Sequence, residues 1–104
     1  MIPRLIYKIL THEEWKKFKQ KKNFFTGLDM RSGFVHLSTK KQVDDTIKKY
    51  FFDYSILVLV GFKSADLKKS LKWETSRDGN LFPHFYGKLD LKKVYNYKII
   101  RQSL

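Results

Sequence analysis

The segment from Ser55 to Phe62 constrains the fold of this chain more than any other stretch. It reads Ser-Ile-Leu-Val-Leu-Val-Gly-Phe and is apolar at nearly every position. A strand with two apolar faces is typical of a sheet interior, because a strand exposed to water on one side alternates apolar with polar residues. The segment therefore predicts a central strand that other elements cover on both sides.

Two helices are predicted around this strand. Thr11 and Glu14 have the spacing of a capping box, in which each side chain binds the backbone amide of the other residue. A first helix is therefore expected over residues 12 to 21. Ser38 or Thr39 is expected to cap a second helix, since apolar residues recur after it at helical spacing.

Short strands make up most of the remaining chain, and residues 23–32 are expected to be irregular. Pro83 is expected to keep the segment around it out of a sheet interior, because proline has no amide hydrogen. Further strands are predicted over residues 5–10, 33–38, 71–75 and 94–100. Two helices among about six short strands predict a single compact α+β domain over residues 1–104.

The charge of the chain is strongly basic: 22 basic and 10 acidic side chains give a formal net charge of +12. Such a charge attracts polyanions weakly and in a salt-sensitive way. Only four of the basic residues are arginine, the side chain best suited to reading bases and phosphates. The pattern favours a solvated basic surface, and nucleic acid is expected only as a weak partner.

Composition also excludes several classes of site. The chain has no cysteine, which removes disulfides, thiolate metal sites and cysteine nucleophiles. Its longest apolar run, residues 56–60, is far shorter than the roughly 20 residues that span a bilayer. The first residues lack the apolar core of a signal peptide. A cytoplasmic protein without a membrane partner is the expectation.

Lysine is absent from three windows, residues 23–39, 50–62 and 73–87. Burial of the central strand explains the middle window. The other two windows combine aromatic residues with polar and charged ones, a composition typical of a ligand pocket and also compatible with well-packed loops. Their polar residues are Asp29, Arg31, Ser32, His36, Ser38, Thr39, Glu74, Ser76, Arg77, Asp78, Asn80 and His84.

Four motifs along the chain resemble the bacterial domain-of-unknown-function family 952. They are Ile6-Tyr-Lys-Ile-Leu-Thr-x-Glu-Glu-Trp15, Gly33-Phe-Val-His-Leu-Ser-Thr39, Leu71-Lys-Trp-Glu-Thr-Ser-Arg77 and Leu81-Phe-Pro-His-Phe-Tyr-Gly87, and the likeness covers about residues 6–94. That family has no established activity. Its fold is similar to the ADP-ribosyltransferase and RNA 2′-phosphotransferase superfamily, which binds NAD in a cleft between two small sheets. The resemblance therefore implies a split-sheet fold and NAD as ligand, by analogy of fold alone.

The resemblance also implies roles for individual residues. His36 corresponds to a residue that holds the NAD ribose or carboxamide, and Glu74 to a glutamate that steadies the positively charged ribose as nicotinamide leaves. Arg77 is expected to bind a pyrophosphate or a 2′-phosphate. Each has a structural alternative: His36 as a packed histidine beside Phe34, and Glu74 with Arg77 as a salt bridge.

The remaining ligand-binding candidates are less closely matched to that superfamily. Arg31 and Ser38 are assigned to ligand binding beside His36. His84 and Tyr86 are expected on a rigid extended turn around Pro83, which suits either the stacking of a base or nicotinamide or simply the closing of the core. The superfamily places its stacking aromatic before the glutamate. That order would select Tyr50 or Tyr54 in place of Tyr86. No metal site is expected, because the spacing of the histidines matches no metal motif.

Three kinds of function remain open from the sequence. The first is an NAD-linked transferase or glycohydrolase centred on His36, Glu74 and Arg77. The second is a small-ligand or nucleotide-binding module on the same fold, without turnover. The third is a basic nucleic-acid-binding domain, which would depend on lysine patches and salt and not on His36.

Overall fold

The central apolar segment forms the middle strand of a three-stranded antiparallel sheet. In the computed structural model, which describes residues 2–76 and 79–103, β1 (Leu5–Thr11), β4 (Ile56–Lys63) and β8 (Val94–Arg101) pair in the order β1-β4-β8. We call this the first sheet. Leu57, Val58 and Val60 of β4 are completely buried. The prediction of a central strand covered on both faces is confirmed.

Two hydrophobic clusters cover the faces of the first sheet. On one face Val58 and Val60 join residues of α1 (His12–Lys21) and of the second sheet, defined below. On the other face Leu57 packs against α3 (Lys40–Tyr50). The first sheet therefore lies between a helix and a mixed layer of helix and sheet, as layered packing around an apolar strand requires.

The second sheet contains β3 (Val35–His36), β6 (Leu81–Phe85) and β5 (Leu71–Thr75), in the order β3-β6-β5. Its inner face adds Val35 and Phe85 to the core, while the other face carries polar and aromatic side chains. A two-stranded ribbon, β2 (Asn23–Phe24) with β7 (Leu89–Asp90), packs beside α1.

Both predicted helices begin where their caps predict. The Thr11 hydroxyl accepts a hydrogen bond from the Glu14 amide at 3.1 Å, and Glu14 accepts one from the Thr11 amide at 2.9 Å. At the start of α3, Gln42 Oε1 accepts from the Thr39 amide at 3.0 Å. Thr39, not Ser38, is the cap.

The number of elements differs from the prediction of two helices and about six strands, although the α+β class is confirmed. The described residues form four α-helices and eight strands, the additional helices being α2 (Gly27–Ser32) and the single turn α4 (Ser64–Leu67). Short 3-10 turns follow at Lys68–Ser70 and Leu91–Lys93.

The expectation of an irregular segment over residues 23–32 is wrong, since α2 lies there. Thr26 Oγ1 accepts from the Asp29 amide at 3.1 Å, and Asp29 Oδ2 accepts from the Thr26 amide at 3.2 Å. This is a capping box with aspartate in the position usually held by glutamate or glutamine. Gly33 ends the helix with a φ of 81°, a left-handed cap that favours glycine.

The expectation that Pro83 keeps its segment out of a sheet interior is also wrong, because Pro83 lies in β6, the middle strand of the second sheet. The amide of Leu37 donates to the Pro83 carbonyl at 3.1 Å. The backbone nitrogen of Pro83 faces the same neighbour, at the point where the β3 ladder ends. The missing N–H therefore removes only a terminal bond of the sheet.

Within residues 2–76 and 79–103, no helix combines the length and apolarity needed to cross a bilayer.

Candidate functional site

A cleft of about 980 Å³ is lined by residues of α2, α3, β1, β3 and β6. Its volume falls in the range of small-molecule sites. Four of the residues predicted for ligand binding or catalysis line it: Arg31, His36, Ser38 and His84. They come from two sequence windows about 45 residues apart, which the pairing of β3 with β6 brings together.

The cleft has a basic and aromatic lining. Among the described lining residues, Arg31, Lys41 and Lys49 are cationic and Glu14 and Asp45 are carboxylates, while the charge of Lys8 is paired with the buried Asp29. The apolar part of the lining comes from Leu28, Tyr50, Phe51, Tyr54 and Phe82, together with Ile9 and Leu37. An anionic ligand with flat rings suits this combination of charges and aromatic groups.

Asp29 fixes the position of His36 from behind. The Asp29 side chain is completely buried, and its Oδ1 accepts hydrogen bonds from His36 Nδ1 at 2.8 Å and from the His36 amide at 3.1 Å. Lys8 Nζ is 2.9 Å from Asp29 Oδ2 and donates to the His36 carbonyl at 3.1 Å. His36 is thus held through its ring and both of its backbone polar groups.

Asp29 remains a charged carboxylate although it is buried. Burial by itself raises the pKa of Asp29, but the hydrogen bonds from His36 and the charge of Lys8 outweigh it and hold that pKa far below its usual range. Burial lowers the pKa of Lys8, against the opposing attraction of Asp29. Because a carboxylate accepts only, the proton of a neutral His36 ring lies on Nδ1, and Nε2 is left for a ligand.

Glu74 forms a second carboxylate–histidine pair on the same face of the second sheet. His84 Nδ1 donates to Glu74 Oε1 at 2.9 Å, and the Tyr86 hydroxyl donates to the same oxygen at 2.6 Å. The hydrogen bond from Tyr86 and, after it, the one from His84 lower the pKa of Glu74. The bond between Tyr86 and Glu74 also raises the pKa of Tyr86. Glu74 and Tyr86 lie outside the lining of the cleft, which His84 reaches.

Phe34 joins the two histidines. Its ring stacks on His84 with 4.1 Å between centroids and lies 4.6 Å from the ring of His36. Its contact with Tyr86 is longer, at 5.4 Å. His36 is a packed histidine beside Phe34, as the structural alternative proposed, and also a lining residue of the cleft with 34% of its side chain exposed.

Other predicted residues have the following positions. Trp73 is half-buried against the core, opposite Glu74, as the alternation along β5 predicts. Tyr50 and Tyr54, the aromatic residues selected by their order in the chain, line the cleft. Arg77 lies outside the described residues, so its phosphate-binding role and its salt bridge with Glu74 stay predictions.

Two residues of the site were not assigned a role from the sequence. Asp29 belongs to a lysine-free window, and its capping-box spacing from Thr26 was a usable signal. Lys8 interrupts an otherwise apolar face of β1, which indicates a buried partner for its charge.

Metal binding has no support in the described part of the chain, where no three His, Asp or Glu side chains are grouped to hold an ion.

Comparison with known proteins identifies the family but no activity. No curated protein matches the chain. The crystal structure of protein CC0527 from Caulobacter crescentus, a structural-genomics target, is 38% identical, with a TM-score of 0.86 over 91% of this chain and 84% of that chain. Its solution NMR structure gives a TM-score of 0.82 at the same identity, over 92% and 84% of the two chains.

The four sequence motifs point to one group of proteins. The sequence profile of that group matches residues 9–97, most of the chain. The chain belongs to the family described as "Protein of unknown function (DUF952)".

Proposed function

We propose that the cleft binds a nucleotide, with NAD as the first candidate, and that the protein breaks the bond between nicotinamide and ribose in the manner of an ADP-ribosyltransferase or NAD glycohydrolase. The observation that carries this proposal is His36, fixed by the buried Asp29 at 2.8 Å and lining a cleft with surplus positive charge. NAD itself comes from the resemblance to the split-sheet superfamily, which is an analogy of fold.

The size and position of the cleft support a dinucleotide. Its volume of about 980 Å³ is at the upper end for ligand sites. Residues of both three-stranded sheets line it, since Lys8 belongs to β1 and His36 to β3. This agrees with a ligand held between two small sheets, as the resemblance implies.

The chemistry of the lining supports the same ligand. Arg31 and Lys41 supply cations for a pyrophosphate, and no ion pair of Arg31 is found within the described ranges. Tyr50 and Tyr54 offer aromatic faces for a base or nicotinamide.

His36 and His84 would contact the ligand in this proposal. With its proton on Nδ1, His36 accepts through Nε2 from a ribose hydroxyl. Glu74 acts through His84 as a positioning residue, because its carboxylate oxygen is occupied by His84 and Tyr86. The role expected for Glu74, direct stabilisation of the ribose cation, requires it to turn toward the cleft.

An amide NMR titration of labelled protein with NAD at moderate salt tests the proposal, with nicotinamide followed over time. We expect shifts confined to the cleft, and at least tenfold weaker binding for His36→Gln. His12→Gln is the matched control, since His12 is an exposed histidine outside this cleft. Shifts scattered over surface lysines, or equal binding by both variants, would contradict the proposal.

A binding module without turnover is the second candidate. The observation in its favour concerns Glu74, the residue matched to the superfamily glutamate. Glu74 lies behind His84, and among the described residues it is not part of the cleft lining. Saturable NAD binding with no release of nicotinamide would select this function over the first.

A further inference from the structure

The two histidines of the cleft are neighbours, and each has a carboxylate partner of its own. His36 and His84 are direct partners across the β3–β6 ladder, and their ring centroids are 5.7 Å apart. Each ring donates through Nδ1 to its own carboxylate, Asp29 at 2.8 Å and Glu74 at 2.9 Å. In both residues Nε2 is therefore the nitrogen left to exchange protons with a ligand.

The breaking of a nicotinamide–ribose bond does not use such a pair. Nicotinamide leaves as a neutral group without accepting a proton, so one proton acceptor for the incoming hydroxyl is sufficient. A second imidazole with its own orienting carboxylate is typical of reactions in which one proton is removed and another is supplied. The pair therefore indicates chemistry that the proposed function leaves unexplained.

The charged groups around the pair favour a phosphate as the reacting centre. Lys8 and Asp29 lie behind His36, and Glu74 and Tyr86 lie beside His84. Lys72 is placed over the Tyr86 ring at 5.0 Å. On the cleft side the lining cations are Arg31, Lys41 and Lys49, against the carboxylates of Glu14 and Asp45. Cations near two proton-transfer groups stabilise the charge that develops on a phosphoryl centre.

The aromatic residues near the cleft favour a single-stranded ligand. Tyr50 and Tyr54 line the cleft and are 69% and 43% exposed. Exposed aromatic rings stack on unpaired bases with little regard to sequence. The formal charge of +12 attracts the polyanionic backbone.

We propose that His36 and His84 act as a general base and general acid that cleave single-stranded RNA next to a ribose 2′-hydroxyl. One imidazole removes the proton of the 2′-hydroxyl while the bond between the 2′-oxygen and phosphorus forms. The other, as imidazolium, gives its proton to the 5′-oxygen while the bond between phosphorus and that oxygen breaks. The products are a 2′,3′-cyclic phosphate and a 5′-hydroxyl, and no further reactant is consumed.

A short single-stranded oligoribonucleotide is the probe, compared with the same oligomer carrying a 2′-deoxy sugar at every position. We expect cleavage of the first alone, with a cyclic phosphate detected by mass spectrometry and a bell-shaped dependence of rate on pH. His36→Gln and His84→Gln should each lower the rate by about 100-fold or more.

His12→Gln, purified in parallel, should keep the full rate, and the loss of rate in His36→Gln purified in the same way excludes a contaminating ribonuclease. Glu74→Gln should lower the rate without abolishing it and should shift the pH profile, because it leaves His84 without its carboxylate partner. This variant keeps the test valid if His84→Gln fails to fold, since Glu74 is partly exposed.

Three results would overturn the proposal: equal cleavage by the wild type and both histidine variants, cleavage of the deoxy oligomer, or no cleavage. The assay contains no NAD, so a failure here leaves the NAD titration to be judged by itself. Conversely, RNA cleavage without NAD binding would remove the function proposed above and retain this one.

Discussion

Asp29 accepts hydrogen bonds from Lys8, from the ring and amide of His36, and from the N-terminus of its own helix. A single buried carboxylate thus joins β1, α2 and β3, three elements that line the cleft. Its removal has consequences for stability as well as for the site, because Lys8 is buried with it and has no solvent to replace the lost partner.

Asp29→Asn should lower the free energy of unfolding by about 3–5 kcal/mol, the cost of leaving a buried charge without its partner. Urea unfolding at neutral pH measures the loss. Asp44→Asn is the matched control, since Asp44 is exposed on α3 and its loss should change stability by less than about 0.5 kcal/mol. Equal stability of the two variants would show that Lys8 is not charged in the folded protein.

Acid should weaken the fold through the same residue. The folded-state pKa of Asp29 lies below its unfolded value of about 3.9, so the carboxylate contributes stability above that pH. This contribution falls as the pH drops below about 4 toward the folded pKa. Unfolding measured from pH 7 to pH 2 should show the wild type approaching Asp29→Asn in stability. A constant difference between them over this range would contradict the assignment.

At the scale of the elements, the short connection between α2 and β3 contains Gly33, whose backbone is in the left-handed conformation. Gly33 has a φ of 81°, and its amide donates to the Asp29 carbonyl at 2.9 Å to close the helix. The strand that carries His36 begins two residues later. The left-handed turn thus sets the direction in which β3 leaves the helix.

Gly33→Ala should destabilise the protein by about 1 kcal/mol, because an L side chain is strained at positive φ even though a β-carbon there would meet no neighbour within 4 Å. Thermal unfolding measures the effect. Gly27→Ala is the control, a glycine of the same helix without positive φ, whose β-carbon would make an ordinary contact of 3.5 Å with Arg31. A loss for Gly27→Ala as large as that for Gly33→Ala would refute the backbone explanation.

On the scale of the whole molecule, the net charge and the cleft act as separate determinants of binding. The charge of +12 is spread over the chain, whereas the histidine pair occupies one face of the second sheet. Long-range attraction is screened over about 10 Å at 0.1 M salt, while contacts inside a cleft are screened much less.

Affinity for a DNA duplex should therefore fall steeply between 50 mM and 200 mM salt, by tenfold or more, and should be the same for His36→Gln as for the wild type. Fluorescence anisotropy of a labelled duplex measures both. Duplex binding that persists at high salt and is lost in His36→Gln would instead place the nucleic-acid site in the cleft.

Local sequence patterns predicted the central strand and two of the four α-helices that the described residues form. The apolar sequence of β4 predicted a strand buried on both faces, and the spacing of Thr11 from Glu14 predicted the start of α1. Both features could be predicted because each depends on residues only a few positions apart in the chain. The motifs also identified the family and three residues of the cleft, His36, Ser38 and His84, while the lysine-free window pointed to Arg31. The prediction missed α2 because its capping box has an aspartate, Asp29, in the position usually held by glutamate or glutamine. It misplaced Pro83 because the neighbouring strand β3 ends beside it, which the sequence around Pro83 does not reveal.

The chemistry of the site depends on contacts between distant segments. Lys8 and Asp29 are 21 positions apart, and Glu74 reaches His84 across a sheet. No local periodicity encodes such partners, since Lys8 meets Asp29 only when α2 packs against β1, and Glu74 meets His84 only when β5 pairs with β6. The residue types that carry the chemistry can be read from the chain, but which carboxylate orients which histidine follows from tertiary contacts. Asp29 reaches His36 because α2 packs against β3, and Glu74 reaches His84 because β5 pairs with β6.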